Sequence, residues 1–301
     1  MADVQHMVMG LQSSGKTTFA AALWYLVDSR EIDTVLSKGR HNGDFQYLET
    51  ISSSWAAGWQ VPRTSSDSLE PIRINLLHSQ SNEEIDLHFV DLSGEAFEKI
   101  FATRMIEEKI KSLFSSMQGL LLFVTAIRKK DDLSILDVGL AMPDEMPSEV
   151  DDDEIVPAAE SDPIQKLSEF SPSSSPQQVQ LVDLLGALAD APLFKQPSRI
   201  AVIISAWDKA PPQTEPEQWL KTRMPLLYQY LRNQQLEIPF RVYGVSAQGG
   251  SVPKKEQPNV PSDRAELLKV KIAGERIKVV GHDAANHDLS HPIRWLSGLE
   301  S

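Results

Sequence analysis

The run Gly10-Leu11-Gln12-Ser13-Ser14-Gly15-Lys16-Thr17 satisfies the pattern G-x-x-x-x-G-K-[ST], a set of residue types suited to holding phosphate. Glycines allow a tight loop whose backbone N–H groups converge on phosphate oxygens, and a helix starting at the loop's end adds the positive end of its dipole. Lys16 would neutralise the β and γ oxygens of a nucleoside triphosphate. Thr17 offers a hydroxyl to Mg²⁺, a cation that prefers a mixture of phosphate, hydroxyl and water over an all-protein cage. Gln12, Ser13, Ser14 and Thr18 complete the set expected around the phosphates.

Further groups fit the same chemistry. Asp91-Leu92-Ser93-Gly94-Glu95 follows an apolar run; an aspartate there holds Mg²⁺ through a water, the Gly94 N–H senses a γ-phosphate, and Glu95 stands where a residue orienting the attacking water is expected. An ordinary turn and a helix-start carboxylate are the bland alternatives. Ser205-Ala206-Trp207-Asp208-Lys209 closes another apolar run. Asp208 is placed to accept two hydrogen bonds from guanine N1–H and its exocyclic amine, a donor pair that adenine lacks; the competing role is a loop cap. Ser246-Ala247-Gln248 follows a third run, where a backbone N–H can meet the guanine O6. Thr64 is the candidate to bring a hydroxyl to the metal in the triphosphate state, with Thr50 as competitor, and Arg63 is a candidate arginine acting in cis.

These residues need elements to present them. Val4 to Met9 reads as a buried strand and Thr17 to Leu26 as a helix, so the glycine loop has its required strand-loop-helix setting. Ile72 to Leu77 and Ile85 to Val90 read as a hairpin turning at Ser79 to Asn82. Glu95 to Ser116 has helical spacing, and Leu120 to Ile127 is a continuous apolar run that suits a central strand. A helix from Gln177 to Leu188, a strand from Ile200 to Ser205, a helix from Glu215 to Arg232 and a strand from Phe240 to Val245 resume the alternation. The tail suggests a second hairpin, Leu267 to Ile272 with Arg276 to Val280, and then a short helix near His291 to Leu296. Strands interleaved with helices imply a mostly parallel sheet covered on both faces, with ligands at the carboxyl ends of the strands.

Bulk properties narrow the class. The 301 residues, 41% hydrophobic, suffice for a large α/β unit, and the absence of cysteine excludes disulfides and thiolate metal sites. No apolar run approaches the roughly 20 residues that span a bilayer, and the N-terminus lacks a basic stretch before an apolar one, so a cytoplasmic location is expected. A net charge of −13 argues against the basic face that nucleic-acid binding uses. Much of that charge is local, from Asp144 through Asp151, Asp152, Asp153 and Glu154 to Asp162. The chain therefore divides into residues 1–128, an acidic Pro/Ser-rich insertion at 129–176 expected to be mobile, and residues 177–301 with a C-terminal extension.

With its motifs in this order the chain resembles the TRAFAC class of P-loop GTPases, whose pattern runs GxxxxGK[ST], a first-switch threonine, DxxG, [NT]KxD and SAK. Residues 10–18, Asp91 to Glu95 and the long insertion are most similar to the bacterial double-GTPase families of multi-gene conflict and defence systems. Ser205 stands where the pattern has Asn or Thr, Ala206 where it has a Lys that packs over the base, and Gln248 where it ends in Lys; Trp207 and Lys209 are candidate substitutes. The resemblance implies a three-layer Ras-like α/β/α fold and a Mg²⁺-dependent switch that binds and hydrolyses GTP. It also implies partner proteins from the same system, an anti-phage role among them. An ATP hydrolase and a non-hydrolysing nucleotide-binding scaffold remain the alternatives.

Two weaker groups complete the reading. His282, His287 and His291 with Asp283 and Asp288 match no standard metal spacing, and a polar loop before a capped helix suits them better. Trp55 and Trp59, four apart, suit a packed helix face better than a partner anchor.

Overall fold

The computed structural model describes residues 4–39, 45–62, 72–89, 95–127, 175–190, 195–233 and 237–300. Among them lies an eight-stranded sheet in the order β2-β3-β4-β1-β5-β6-β7-β8. Its strands are β1 Val4–Gly10, β2 Leu36–Lys38, β3 Ile72–His78, β4 Glu84–Phe89, β5 Gly119–Thr125, β6 Arg199–Ser205, β7 Phe240–Ser246 and β8 Lys278–Val280. The run β4-β1-β5-β6-β7 is parallel, while β2, β3 and β8 pair antiparallel. The acidic insertion falls almost wholly outside the described residues.

Helices cover both faces. One core packs α1 (Lys16–Ser29) and α2 (Phe45–Ala56) on Val8, Leu121 and Ile203, together with the tail residues Ile293 and Trp295. On the other side α3 (Glu95–Thr103), α4 (Glu108–Ser116), α5 (Gln177–Asp190), α6 (Pro216–Arg223) and α7 (Pro225–Asn233) pack on Met7, Met9, Leu122 and Val202. This is the expected three-layer α/β/α arrangement. Strand side chains alternate between the two cores, which is why Leu120 to Val124 of β5 and Ile200 to Ile204 of β6 are apolar without interruption. In α1 the small residues Ala20, Ala21 and Ala22 let the helix approach the sheet, and Phe19 meets Phe123 edge-on at 5.2 Å. Among the described residues no helix is long and apolar enough to cross a membrane.

Several boundaries differ from the sequence expectation. The single helix expected from Glu95 to Ser116 is two, because Arg104 takes a left-handed φ of 59°, which no continuing helix allows; its guanidinium is ion-paired to Asp183. The helix expected from Glu215 to Arg232 also breaks, at Met224 before Pro225, where the proline ring disfavours a helical backbone. The tail hairpin does not form. Leu267 ends a short helix, α8 (Arg264–Leu267), and β8 pairs with the edge of β7 instead. An open edge of a large sheet offers more burial than an isolated hairpin, which is marginal in water. Trp55 lies on the amphipathic helix α2, whereas Trp59 falls beyond its end at Ala56. The final helix, α9 (His291–Leu296), lies where the sequence placed it.

Candidate nucleotide-binding site

Parallel register brings the carboxyl ends of four strands into line: Gly10 stands opposite Phe123, Thr125 opposite Ser205, and Ser205 opposite Val245. The loops after β1, β6 and β7 therefore meet at one edge of the sheet, as ligand sites in such folds do.

The first loop is shaped by crowding and by backbone conformation. A Cβ on Gly10 would lie 2.7 Å from Ser14 Oγ and 2.8 Å from Phe123 Cβ, so the strand end has no room for a side chain. Gly15 has a left-handed φ of 92°, and Ser13 has one of 60°. The Ser14 N–H donates to the Leu11 carbonyl at 3.3 Å and closes the turn. Lys16 folds back inside the loop, 2% exposed; its Nζ donates to the carbonyls of Gly10 at 2.6 Å and Leu11 at 3.0 Å, and to Ser14 Oγ at 3.4 Å. A cation removed from water this completely favours an anion nearby. Gly15 caps α1 without a side-chain hydrogen bond, so the helix's amino end is not capped by its own N-cap side chain. Thr17 and Thr18 follow, half-buried, in the first turn. The Gln12 N–H donates to Glu98 Oε1 of α3 at 3.2 Å, a contact that no motif announces.

The second loop begins at Ser205, which packs directly on Gly15. Ala206 takes a left-handed φ of 52°, and Trp207–Lys209 form a 3₁₀ turn. Asp208 accepts a hydrogen bond from Ser246 Oγ at 2.5 Å, and the same Oγ accepts the Gly249 N–H at 3.2 Å. The base-motif aspartate is thereby locked to the third loop. Lys209 bridges Asp208 at 3.4 Å and Asp263 at 3.5 Å, and the neighbouring Asp208 charge holds its ammonium pKa above the usual value. Asp263 in turn accepts from the Ser251 N–H and Oγ, each at 2.7 Å. Trp207 turns away: its ring lies on the Cα of Gly244 and meets Trp219. Of the two candidate substitutes for the missing lysine, only Lys209 lines the site.

All three loops share a cleft of about 340 Å³, lined by Ser13, Gly15 and Thr18 of the first loop and by Asp208, Ser246 and Ala247 of the other two. Gln60 and Val61, which sequence reasoning passed over, line it too. Thr50 is elsewhere, exposed in the middle of α2 with its hydroxyl donating to the Gln46 carbonyl at 2.7 Å. Arg63, Thr64, Asp91 and Gly94 lie outside the described residues, as does the side chain of Glu95, the first residue of α3.

The profile of the family described as Double-GTPase 1 matches residues 7–296, nearly the whole chain. The chain belongs to the Double-GTPase 1 family. As a double-GTPase it carries its P-loop motif at residues 10–17. Among solved structures it is similar to the GTPase-like domain of S. cerevisiae Ski7 bound to GTP, at 12% identity over 83% of this chain and 44% of that one, with a TM-score of 0.37. It is also similar to a bacterial selenocysteine-specific elongation factor, EF-Sec, at 13% identity over 82% of this chain and 26% of that one, with a TM-score of 0.35. The double-GTPase chain thus spans less than half the length of either. None of the curated proteins matches it.

The histidine-rich tail of this double-GTPase is structural. His282 Nε2 accepts the Val242 N–H at 3.2 Å, His287 Nδ1 pairs with the Ile277 carbonyl at 2.6 Å, and Asp288 receives Arg294 at 2.6 Å. Burial lowers the pKa of both His282 and His291. Among the described residues no cluster of three or more His, Asp or Glu could hold a metal.

Proposed function

We propose that this chain is a magnesium-dependent GTP switch whose nucleotide lies along the shared cleft, phosphates in the Gly10–Thr18 loop and base against Asp208, and whose state is read by partner proteins of the same system. The carrying observation is that one cleft is lined by both the loop of the phosphate motif and the residues of the base motif. In this reading water attacks the γ-phosphorus, the bond to the β,γ-bridging oxygen breaks, and GDP and inorganic phosphate leave. Lys16 offsets the charge that develops on the transferring group, a role that preorganised cations fill at little reorganisation cost. Gln12, Ser13, Ser14 and Gly15 supply the loop that surrounds the phosphates.

Thr17 presents a hard oxygen donor beside Lys16 at the amino end of α1, which suits Mg²⁺, and Asp91 and Thr64 are the other residues assigned to hold it. When bound, the ion would offset negative charge on the nucleotide's phosphates. Gly94 is assigned to sense the γ-phosphate, Glu95 to orient the water, and Arg63 to act in cis. At the base, Asp208 accepts the guanine N–H pair, Lys209 flanks it, and the Ser246-Ala247 backbone meets O6.

Calorimetry with GDP and ADP in the presence of Mg²⁺ tests the base assignment, and phosphate release by the Lys16→Ala variant tests the phosphate assignment. Tight GDP binding, weak ADP binding and lysine-dependent release support the proposal. Equal affinity for ADP overturns the role of Asp208, and release that does not depend on Lys16 overturns hydrolysis at this loop.

A further inference from the structure

The base motif lines the cleft with Ser205, Ala206, Asp208 and Lys209. Ala206 contributes only a methyl group, and Trp207 packs on Gly244, facing away. A distant segment lines it as well: Gln60 and Val61, just beyond α2, share the cleft with Asp208.

That segment is tied to the base loop by a dense set of contacts. Trp55 is fully buried near the carboxyl end of α2, and its Nε1–H donates to the Ala247 carbonyl at 2.8 Å. Gln248 Nε2 donates back to the Trp55 carbonyl at 3.4 Å. The final carbonyls of a helix have no intrahelical partner. Here Arg276 donates to that of Ala56 at 2.8 Å, and Arg264 to that of Ala57 at 3.0 Å, its guanidinium 3.8 Å over the Trp59 ring. Cations at this end of a helix also oppose its dipole. The Gln60 N–H donates to the Pro253 carbonyl at 2.9 Å. Packing alone does not ask for the indole N–H of Trp55 to meet a loop carbonyl. Trp24, in the same core, makes no hydrogen bond through its own to any described residue.

We propose that Trp55 is a positioning residue for base recognition, clamping the Gln60–Val61 wall and the Ser246–Gln248 loop together over the nucleotide base. The proposal rests on the placement of the base given above. Removing the indole donor leaves the Ala247 carbonyl buried and unpaired, and the peptide beside the expected O6 contact loses its fixed orientation.

The test is release of a fluorescent GDP from the full chain carrying Trp55→Phe, Val61→Ala or Asp208→Asn, with thermal stabilisation by inorganic tripolyphosphate measured beside it. Trp55→Phe should speed GDP release about tenfold. Val61→Ala should speed it several-fold, and both should keep the tripolyphosphate effect of the unaltered protein, since that ligand has no base. If Trp55→Phe does not fold, Val61→Ala decides. Release within twofold of the unaltered protein in the variants that fold, or an equal loss of the tripolyphosphate effect, overturns the clamp. Asp208→Asn separates the two levels of the argument: unchanged release from that variant overturns the base placement itself, whereas faster release from it alone overturns only the clamp.

Discussion

Ser205, the last residue of β6, packs against Gly15 so closely that a Cβ on the glycine would sit 2.7 Å from the serine Cβ and 2.8 Å from its Oγ. The base motif thereby rests on the phosphate loop, and neither can shift without the other.

Gly15→Ala should therefore fail twice, through the left-handed φ of 92° and through collision with Ser205. The backbone term alone, about 1–2 kcal/mol, predicts about a five- to thirtyfold loss of GDP affinity by calorimetry. Adding Ser205→Gly should recover part of the loss by relieving the collision, and not the part due to φ. Full recovery would show that backbone conformation at Gly15 is unimportant.

Lys16→Met should separate activity from stability. Turnover of GTP should fall by about 10²–10³, the range seen when one preorganised electrostatic contact is lost. The melting temperature should hold or rise, because a buried ammonium has been replaced by an apolar chain of similar reach. A sharp drop in melting temperature would show that the lysine is chiefly structural.

Acid should destabilise the fold in the range where histidines normally charge. His6, buried in β1 and paired with Ser297 Oγ at 2.8 Å, has its pKa pushed down to about 3 by desolvation, from 6.5. The unfolded chain thus binds the extra proton between those values, so stability is fully present above pH 6.5 and is lost as pH falls toward 3. For this one group the loss between pH 6.5 and 5 approaches about 2 kcal/mol. His282 and His291 act in the same direction. Urea denaturation at pH 7.5 and 5 should show the loss, and His6→Asn should flatten the dependence. An unchanged dependence in that variant would remove His6 from the account.

The tail should behave as part of the core. Asp288→Ala leaves Arg294, 8% exposed at its side chain, without its 2.6 Å partner and should cost about 3 kcal/mol in urea denaturation. Asp288→Ala with Arg294→Met should be less damaging than the single change. If the single change costs nothing, Glu300, at 2.7 Å from the guanidinium, carries the pairing alone.

Much of the architecture was legible along the chain because it depends on local signals. Central strands such as Leu120 to Thr125 are apolar on both faces, since both faces are covered, and the glycine loop between a strand and a helix has few other uses. The break at Met224, missed in the helix expected from Glu215 to Arg232, was signalled locally by Pro225. Arg104 was not: its left-handed turn is compatible with an ion pair to Asp183, a residue 79 positions away. The tail strand was misassigned because a short apolar run takes whichever sheet edge is open, and where β7 ends is not written near residue 278.

By itself the sequence determined which groups are candidates to meet phosphate, since Gly10, Gly15, Lys16 and Thr17 fall within one loop between a strand and a helix. Tertiary structure alone decided that Ser205 abuts Gly15, that Trp207 faces away from the cleft while Lys209 lines it, and that Gln60 and Val61 line its wall through Trp55. Those relationships join residues up to 192 positions apart. They arise from parallel strand register and side-chain packing, which depend on the whole sheet and leave no mark in the spacing of any one segment.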